Sequence, residues 1–169
     1  KEVAAQAAKE SGETCAAAND NAPGQVVVSG TRKAVERAIQ VAAEKGAKRA
    51  ILLPVSAPFH CDLMAPAAKA MESALGEVAL NLPAVPLVAN VTARQVSDPA
   101  TIRRLLVEQV TGLVRWRESV IYMKEQGVTK LVEIGAGKVL AGLTRRIDRE
   151  LEASSAGLPE EIEALLKTL

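Results

Sequence analysis

With 169 residues, 49% of them hydrophobic, the chain is long enough to bury one core, and its size fits one domain or two small subdomains. Its 21 basic and 20 acidic residues nearly cancel, no basic run occurs, and aromatics are only 2%, which argues against nucleic-acid binding. No apolar segment reaches the roughly 18 to 20 residues that cross a bilayer, so no membrane association is expected.

The opening KEVAAQAAKESG has helical spacing with no N-cap, and neither an initiating Met nor the apolar stretch of a signal peptide is present. It reads as part of a longer protein. Cys15 and Cys61, without a secretory mark, read as free thiols, and a cytoplasmic location is expected. Next come two strand candidates, TCAAAND (14–20) and QVVVSG (25–30), joined by a turn at Pro23 and Gly24. Residues 31–46 predict an amphipathic helix: Thr31 is its N-cap, Ala34, Val35, Ala38, Ile39 and Ala42 form one face, and Gly46 is the stop. RAILLPV (49–55) predicts a buried strand, which delivers the chain to His60.

Residues 61–78 predict a helix with Asp62 as N-cap and Pro66 in its first turn. VPLVANVTA (85–93) predicts one strand, and 98–112 a helix capped by Asp98 with Pro99 at its first position. Residues 116–127 predict another helix, ended by Gly127. KLVEIGAGKVLAGLTRRID (130–148) has the order strand, glycine turn, helix, the βα unit of a parallel sheet. The tail, 153–169, predicts a loosely attached terminal helix.

His60 is the chain's lone histidine, set after Pro58 where a rigid backbone can aim a side chain. It is either a general base, which needs a third group to choose its tautomer, or a structural histidine. Cys61 is a poor partner for it, because neighbours on an extended segment point to opposite sides. A small buried thiol is the simpler reading. No Gly-x-Ser-x-Gly elbow occurs, and Ser29 and Ser56 read as turn or cap residues. GAGKVL (135–140) lacks phosphate-loop spacing and reads as a tight strand-to-helix turn. Glu133, Asp62 and the other acids have no metal-ligand spacing, and one histidine makes zinc improbable, so no metal is expected.

In their order, NAPGQVVVSG, LPVSAPFHCDLM, NVTA, VRWRESVIYM and EIGAGKVLAGL resemble the malonyl-CoA:acyl carrier protein transacylases of bacterial fatty-acid synthesis, up to about Ile147. The resemblance implies an α/β fold: the C-terminal part of an α/β-hydrolase-like large subdomain (57–152) and an incomplete ferredoxin-like small subdomain (1–56, first strand missing), with 153–169 as a tail helix. It also implies ping-pong transfer of malonyl from coenzyme A, through a serine ester, to the phosphopantetheine thiol of acyl carrier protein. The implied partners are malonyl-CoA and acyl carrier protein, with no cofactor beyond the thioester substrate and a monomer at full length.

On the same resemblance His60 is the base and Gln109 supplies the carbonyl that orients it, while Phe59 matches the malonyl-selective form of the motif. Asn19, Asn21 and Gln25 fall in a cleft-lining loop, which reads equally well as a hydrogen-bonded turn, and Asn90 is a candidate support for the His60 loop. The family's serine elbow, its oxyanion loop and the arginine that pairs with the malonyl carboxylate match nothing in these residues.

Three positions depart from the family pattern. Gly112-Leu113 replace Ser-Pro, Ala136 replaces Pro, and Asp20 replaces an aromatic or apolar residue, changes expected to loosen the cleft walls. A second reading is a non-catalytic fragment that keeps a surface for acyl carrier protein, with Arg103, Arg104, Arg115 and Arg117 as candidate contacts. A third is a cysteine hydrolase using Cys61.

Overall fold

Helix α1 (Glu2–Ser11) begins without a side-chain cap and ends at Gly12, whose φ of 70° is the left-handed stop that glycine permits. The computed structural model describes residues 1–168; of the expected tail helix, Leu169 lies outside the described residues. Strands β1 (Cys15–Ala22) and β2 (Gln25–Gly30) form an antiparallel hairpin around Pro23 and Gly24. Its register slips twice, leaving Ala18 and Asn21 unpaired against β2.

Helix α2 (Arg32–Glu44) starts where Thr31 accepts a hydrogen bond from the Ala34 amide at 3.3 Å. Ala34, Ala38 and Val41 are buried, and with Ala4 and Ala7 of α1 they provide a small-residue seam along which the two helices pack closely. The expected helical face is therefore present, rotated so that Val41 rather than Ala42 is buried.

The expected strand at 49–55 does not form. Ile51, Leu52, Leu53 and Val55 are exposed, and no strand pairs with this segment. Apolar composition favours burial, but a strand also needs a hydrogen-bonding neighbour, which the described residues do not provide.

The expected helix at 61–78 divides into a 3-10 turn (Asp62–Met64) and α3 (Ala65–Gly76). Pro66 sits in the first turn of α3, where its missing N–H is harmless, and the Asp62 side chain caps neither element. The single strand expected at 85–93 is a hairpin, β3 (Leu87–Ala89) against β4 (Arg94–Val96), turning at Ala93 with φ 51°. Helix α4 (Pro99–Glu108) is capped by Asp98, which accepts from the Thr101 amide at 2.7 Å.

Helix α5 (Trp116–Glu125) leads through Gly127 to β5 (Lys130–Ile134) and α6 (Val139–Ile147). The glycine turn before α6 has Gly135 and Gly137 at φ 129° and 94°, and the Glu133 carboxylate accepts from the Ala141 amide at 2.9 Å. That carboxylate caps the first turn of α6.

The tail is not a helix alone. Residues Glu152–Ala156 form β6, parallel to β5, before α7 (Pro159–Leu166). Ala153 and Ala156 are buried, so small residues expected in a loosely attached terminal helix are strand positions facing a core. The whole is α/β, and no described helix is long and apolar enough to cross a membrane.

Candidate active site

Residues 57–60 turn sharply: the Phe59 amide donates to the Ala57 carbonyl at 3.0 Å, and His60 takes a left-handed φ of 60°. For a residue with a Cβ that conformation costs of order 1 kcal/mol, so the surrounding contacts must hold it. The contact that does so is at the other end of the ring. His60 Nδ1 lies 3.0 Å from the Gln109 carbonyl oxygen and 3.1 Å from that of Gly112.

The Gln109 acceptor is the C-cap of α4, and Gly112 lies just past it. The sequence pattern carries the helix to Gly112, but regular α geometry stops at Glu108, and the amides of Gln109, Val110 and Gly112 close its end by donating to Leu105, Val107 and Glu108 at 3.0, 3.1 and 3.0 Å. The β-branched pair Val110 and Thr111 weakens the last turn. The Gln109 carbonyl stands at the negative end of the helix dipole. A carbonyl can only accept, so Nδ1 carries a proton, and in the neutral ring Nε2 is the nitrogen with the lone pair.

Cys61 takes the opposite direction. Its thiol is buried and donates to the Pro58 carbonyl at 3.2 Å. Cys15 is half-buried and also free, and burial pushes its thiol pKa up. Neither is arranged as a nucleophile for His60.

Around this centre sit two bracing arrangements that the sequence did not reveal. The first is at the β3–β4 turn, where Arg115 donates to the carbonyls of Val91 at 3.1 Å and Thr92 at 3.2 Å and pairs with Glu118 through a forked contact. The guanidinium holds the Glu118 carboxyl below its usual range. The second joins β1 to the segment after Gly112. The Val114 amide donates to Ala18, and the Asp20 amide donates to Val114, both at 2.8 Å. Arg117 then grips the Asp20 carboxylate at 2.9 and 2.7 Å, holding its pKa down.

Of the other sequence-derived candidates, Phe59 precedes His60 and is half exposed, and Asn90 opens the β3–β4 turn. Asn19 bridges Val114 through its backbone, and Asn21 is the second bulge residue of β1. The Gln25 amide oxygen accepts from Arg146 of α6. The four arginines considered for an acidic partner are all engaged within the chain. Arg115 and Arg117 are bound as described, Arg103 donates to Val78 at 2.7 Å, and Arg104 pairs with Glu108. Gly112, Val91 and Asp20 were not singled out as site residues, and Arg115 and Arg117 only as contacts for an acidic partner, although Asp20 and Gly112 both stood out as departures from the family pattern. Among the described residues, no group of three His, Cys, Asp or Glu side chains is placed to hold a metal.

A histidine held through Nδ1 by two main-chain carbonyls, on an α/β scaffold, has the orientation that a general base requires. No protein-family model matches the chain. It is 44% identical over 160 residues to the malonyl CoA-acyl carrier protein transacylase of Bacillus subtilis (strain 168), which covers 95% of this chain and 50% of the relative. The crystal structure of acyl-carrier-protein-S-malonyltransferase from Bartonella henselae matches with TM-score 0.91 and 54% identity, covering 99% of this chain and 52% of that one. A malonyl-transacylase in complex with a type II PKS acyl-carrier protein matches with TM-score 0.92 and 40% identity, over 100% of this chain and 55% of that one. The chain belongs to the malonyl CoA-acyl carrier protein transacylase family, and it spans about half the length of the curated relatives it matches.

Proposed function

We propose that this chain supplies the base of a malonyl transferase, His60, and the carbonyl that orients it, Gln109, while the nucleophilic serine and the carboxylate-binding arginine come from other parts of the protein. The observation that carries the proposal is the His60 Nδ1 contact with the Gln109 carbonyl, which fixes the tautomer a base needs.

In the reaction, Nε2 accepts the serine hydroxyl proton as the oxygen attacks the malonyl thioester carbonyl. Coenzyme A leaves as its thiol, taking that proton back from the imidazolium. The phosphopantetheine thiol of acyl carrier protein then gives its proton to Nε2 and attacks the serine ester, and the serine oxygen recovers the proton as malonyl moves to the carrier. His60 ends each half-reaction neutral, and the oxygen or sulfur that leaves is protonated.

The finer fold reading accompanies this proposal. Residues 1–56 are part of a ferredoxin-like small subdomain, and 57–152 are part of an α/β-hydrolase-like large subdomain, to which β6 adds a strand. Phe59 contributes malonyl selectivity, and Asn19, Asn21, Gln25 and Asn90 line or support the cleft. The intact protein acts as a cytoplasmic monomer without a cofactor.

The test is transfer of malonyl from coenzyme A to acyl carrier protein by this chain joined to the N-terminal half of a relative. Activity is expected, and His60→Ala should lower it by roughly 100- to 10,000-fold. Full activity in the alanine variant would remove the role given to His60.

One sequence observation favours a second reading, that the chain on its own is a non-catalytic fragment: it contains no Gly-x-Ser-x-Gly elbow. The isolated chain is then expected to gain no stable malonyl adduct, which intact-mass measurement after exposure to malonyl-CoA decides.

A further inference from the structure

Gly112 is a glycine for want of space. Its φ is not in the left-handed region, so its backbone accepts any L residue, yet a Cβ there would stand 2.7 Å from Val91 Cγ1 and 3.0 Å from the Glu108 carbonyl oxygen. Real Cβ atoms essentially never approach a neighbour as closely as the first distance. Val91 cannot simply turn away, because a β-branched side chain is stiff at χ1 and its carbonyl is bound by Arg115 at 3.1 Å. The same guanidinium is anchored to Glu118 and to the Thr92 carbonyl at 3.2 Å. On its other side Gly112 presents its own carbonyl to His60 Nδ1 at 3.1 Å.

We infer that Val91 and Gly112 are positioning residues for His60: the Val91 side chain, held on the Arg115-clamped β3–β4 turn, is the backstop that sets where the Gly112 carbonyl meets Nδ1. Gln109 alone fixes the ring to one acceptor. Adding the Gly112 carbonyl gives the Nδ1 proton a second one from a different direction, which holds the ring in its plane and keeps Nε2 aimed. The absence of a Cβ at 112 thus tightens the site instead of loosening it.

This inference rests on the reading of His60 as a base, but its test does not require transferase activity. His60 is the chain's only histidine, so every imidazole signal in a nitrogen-resolved NMR spectrum belongs to it. In the 169-residue chain the neutral ring should be protonated mainly at Nδ1. Gly112→Ala should lower the ratio of Nδ1–H to Nε2–H tautomers about two- to fivefold, the change expected for loss of one shared hydrogen bond. Val91→Ala combined with Gly112→Ala removes the Cγ1 that the new Cβ meets, and should recover most of that ratio.

A Gly112→Ala ratio equal to the parent's, a double variant with no recovery, or a parent ring without Nδ1 preference would each overturn the inference. If the single variant does not fold, the double variant still decides: a folded double variant with the parent ratio supports the backstop, and one with the ratio still shifted removes it. A wrong assignment of His60 as base would leave these tautomer shifts in place and show only in the malonyl-transfer assay.

Discussion

His60 Nδ1 meets the main-chain carbonyl of Gln109 at 3.0 Å, so it is the backbone at position 109 that chooses the tautomer, and the glutamine amide is not part of that bond. A carbonyl at a helix C-terminus is an acceptor that substitution at its own residue does not remove.

Gln109→Ala should therefore keep malonyl transfer within about threefold of the parent in the protein joined to a relative's N-terminal half, since alanine favours the helix end at least as well. His60→Ala in the same background should fall by roughly two or more orders of magnitude. The comparison of the two rates checks the assignment. A glutamine variant as impaired as the histidine one would mean that the amide, not the backbone, does the orienting.

The Asp20–Arg117 pair ties β1 to α5 across a long sequence separation, beside the Val114 bridge. Arg117 is partly open to solvent, which screens the pair, so Asp20→Asn should cost about 1 kcal/mol in chemical denaturation near pH 7. The sign of its pH dependence follows from Asp20, whose folded pKa is held below its ordinary 3.8 by the Arg117 hydrogen bonds. The carboxylate's contribution is present above that ordinary value and is lost as pH falls below it through the folded value. Parent and Asp20→Asn stabilities should converge in that acid window; a gap that persists there would assign the effect to packing.

Chain-order reading reached α2, α4, α5, β5 and α6 because each carries its own local signals. Thr31 and Asp98 cap, Gly46 and Gly127 stop, and a 3.6-residue spacing selects a face. It failed at 49–55 and at 152–156 for opposite reasons. Ile51 to Val55 are apolar enough for a buried strand but have no partner among the described residues, whereas the alanine- and serine-rich 152–156 lack strand propensity and are made a strand by pairing with β5.

At the site, the family pattern pointed to His60 and Gln109. Gly112, Val91 and Arg115 were illegible because their roles are set by carbonyl directions and a packing distance that no spacing encodes.

Ile51, Leu52, Leu53 and Val55 make an exposed apolar segment with no strand partner among the described residues, the type that recruits another chain. Leu52, 51% exposed, has little packing to lose. Leu52→Lys should leave the thermal transition of the 169-residue chain within roughly 0.5 kcal/mol of the parent while raising the concentration at which light scattering appears. A large loss of stability would place Leu52 in a packed core instead.

The two thiols offer the remaining check on the chemistry. Cys61 is almost fully buried, with its thiol donating to Pro58 O, and Cys15 has its pKa raised by burial, so neither has the exposed thiolate that alkylation requires. Iodoacetamide near pH 7 should label Cys61 at least about tenfold more slowly than an unfolded control, with Cys15 also slower than that control. Both should become equally reactive in denaturant. Cys61→Ala should retain malonyl transfer when joined to a relative's N-terminal half, because the thiol is turned away from the ring. Rapid, selective alkylation of Cys61 in the folded chain, accompanied by loss of transfer, would return it to the list of nucleophiles and overturn the serine-based mechanism.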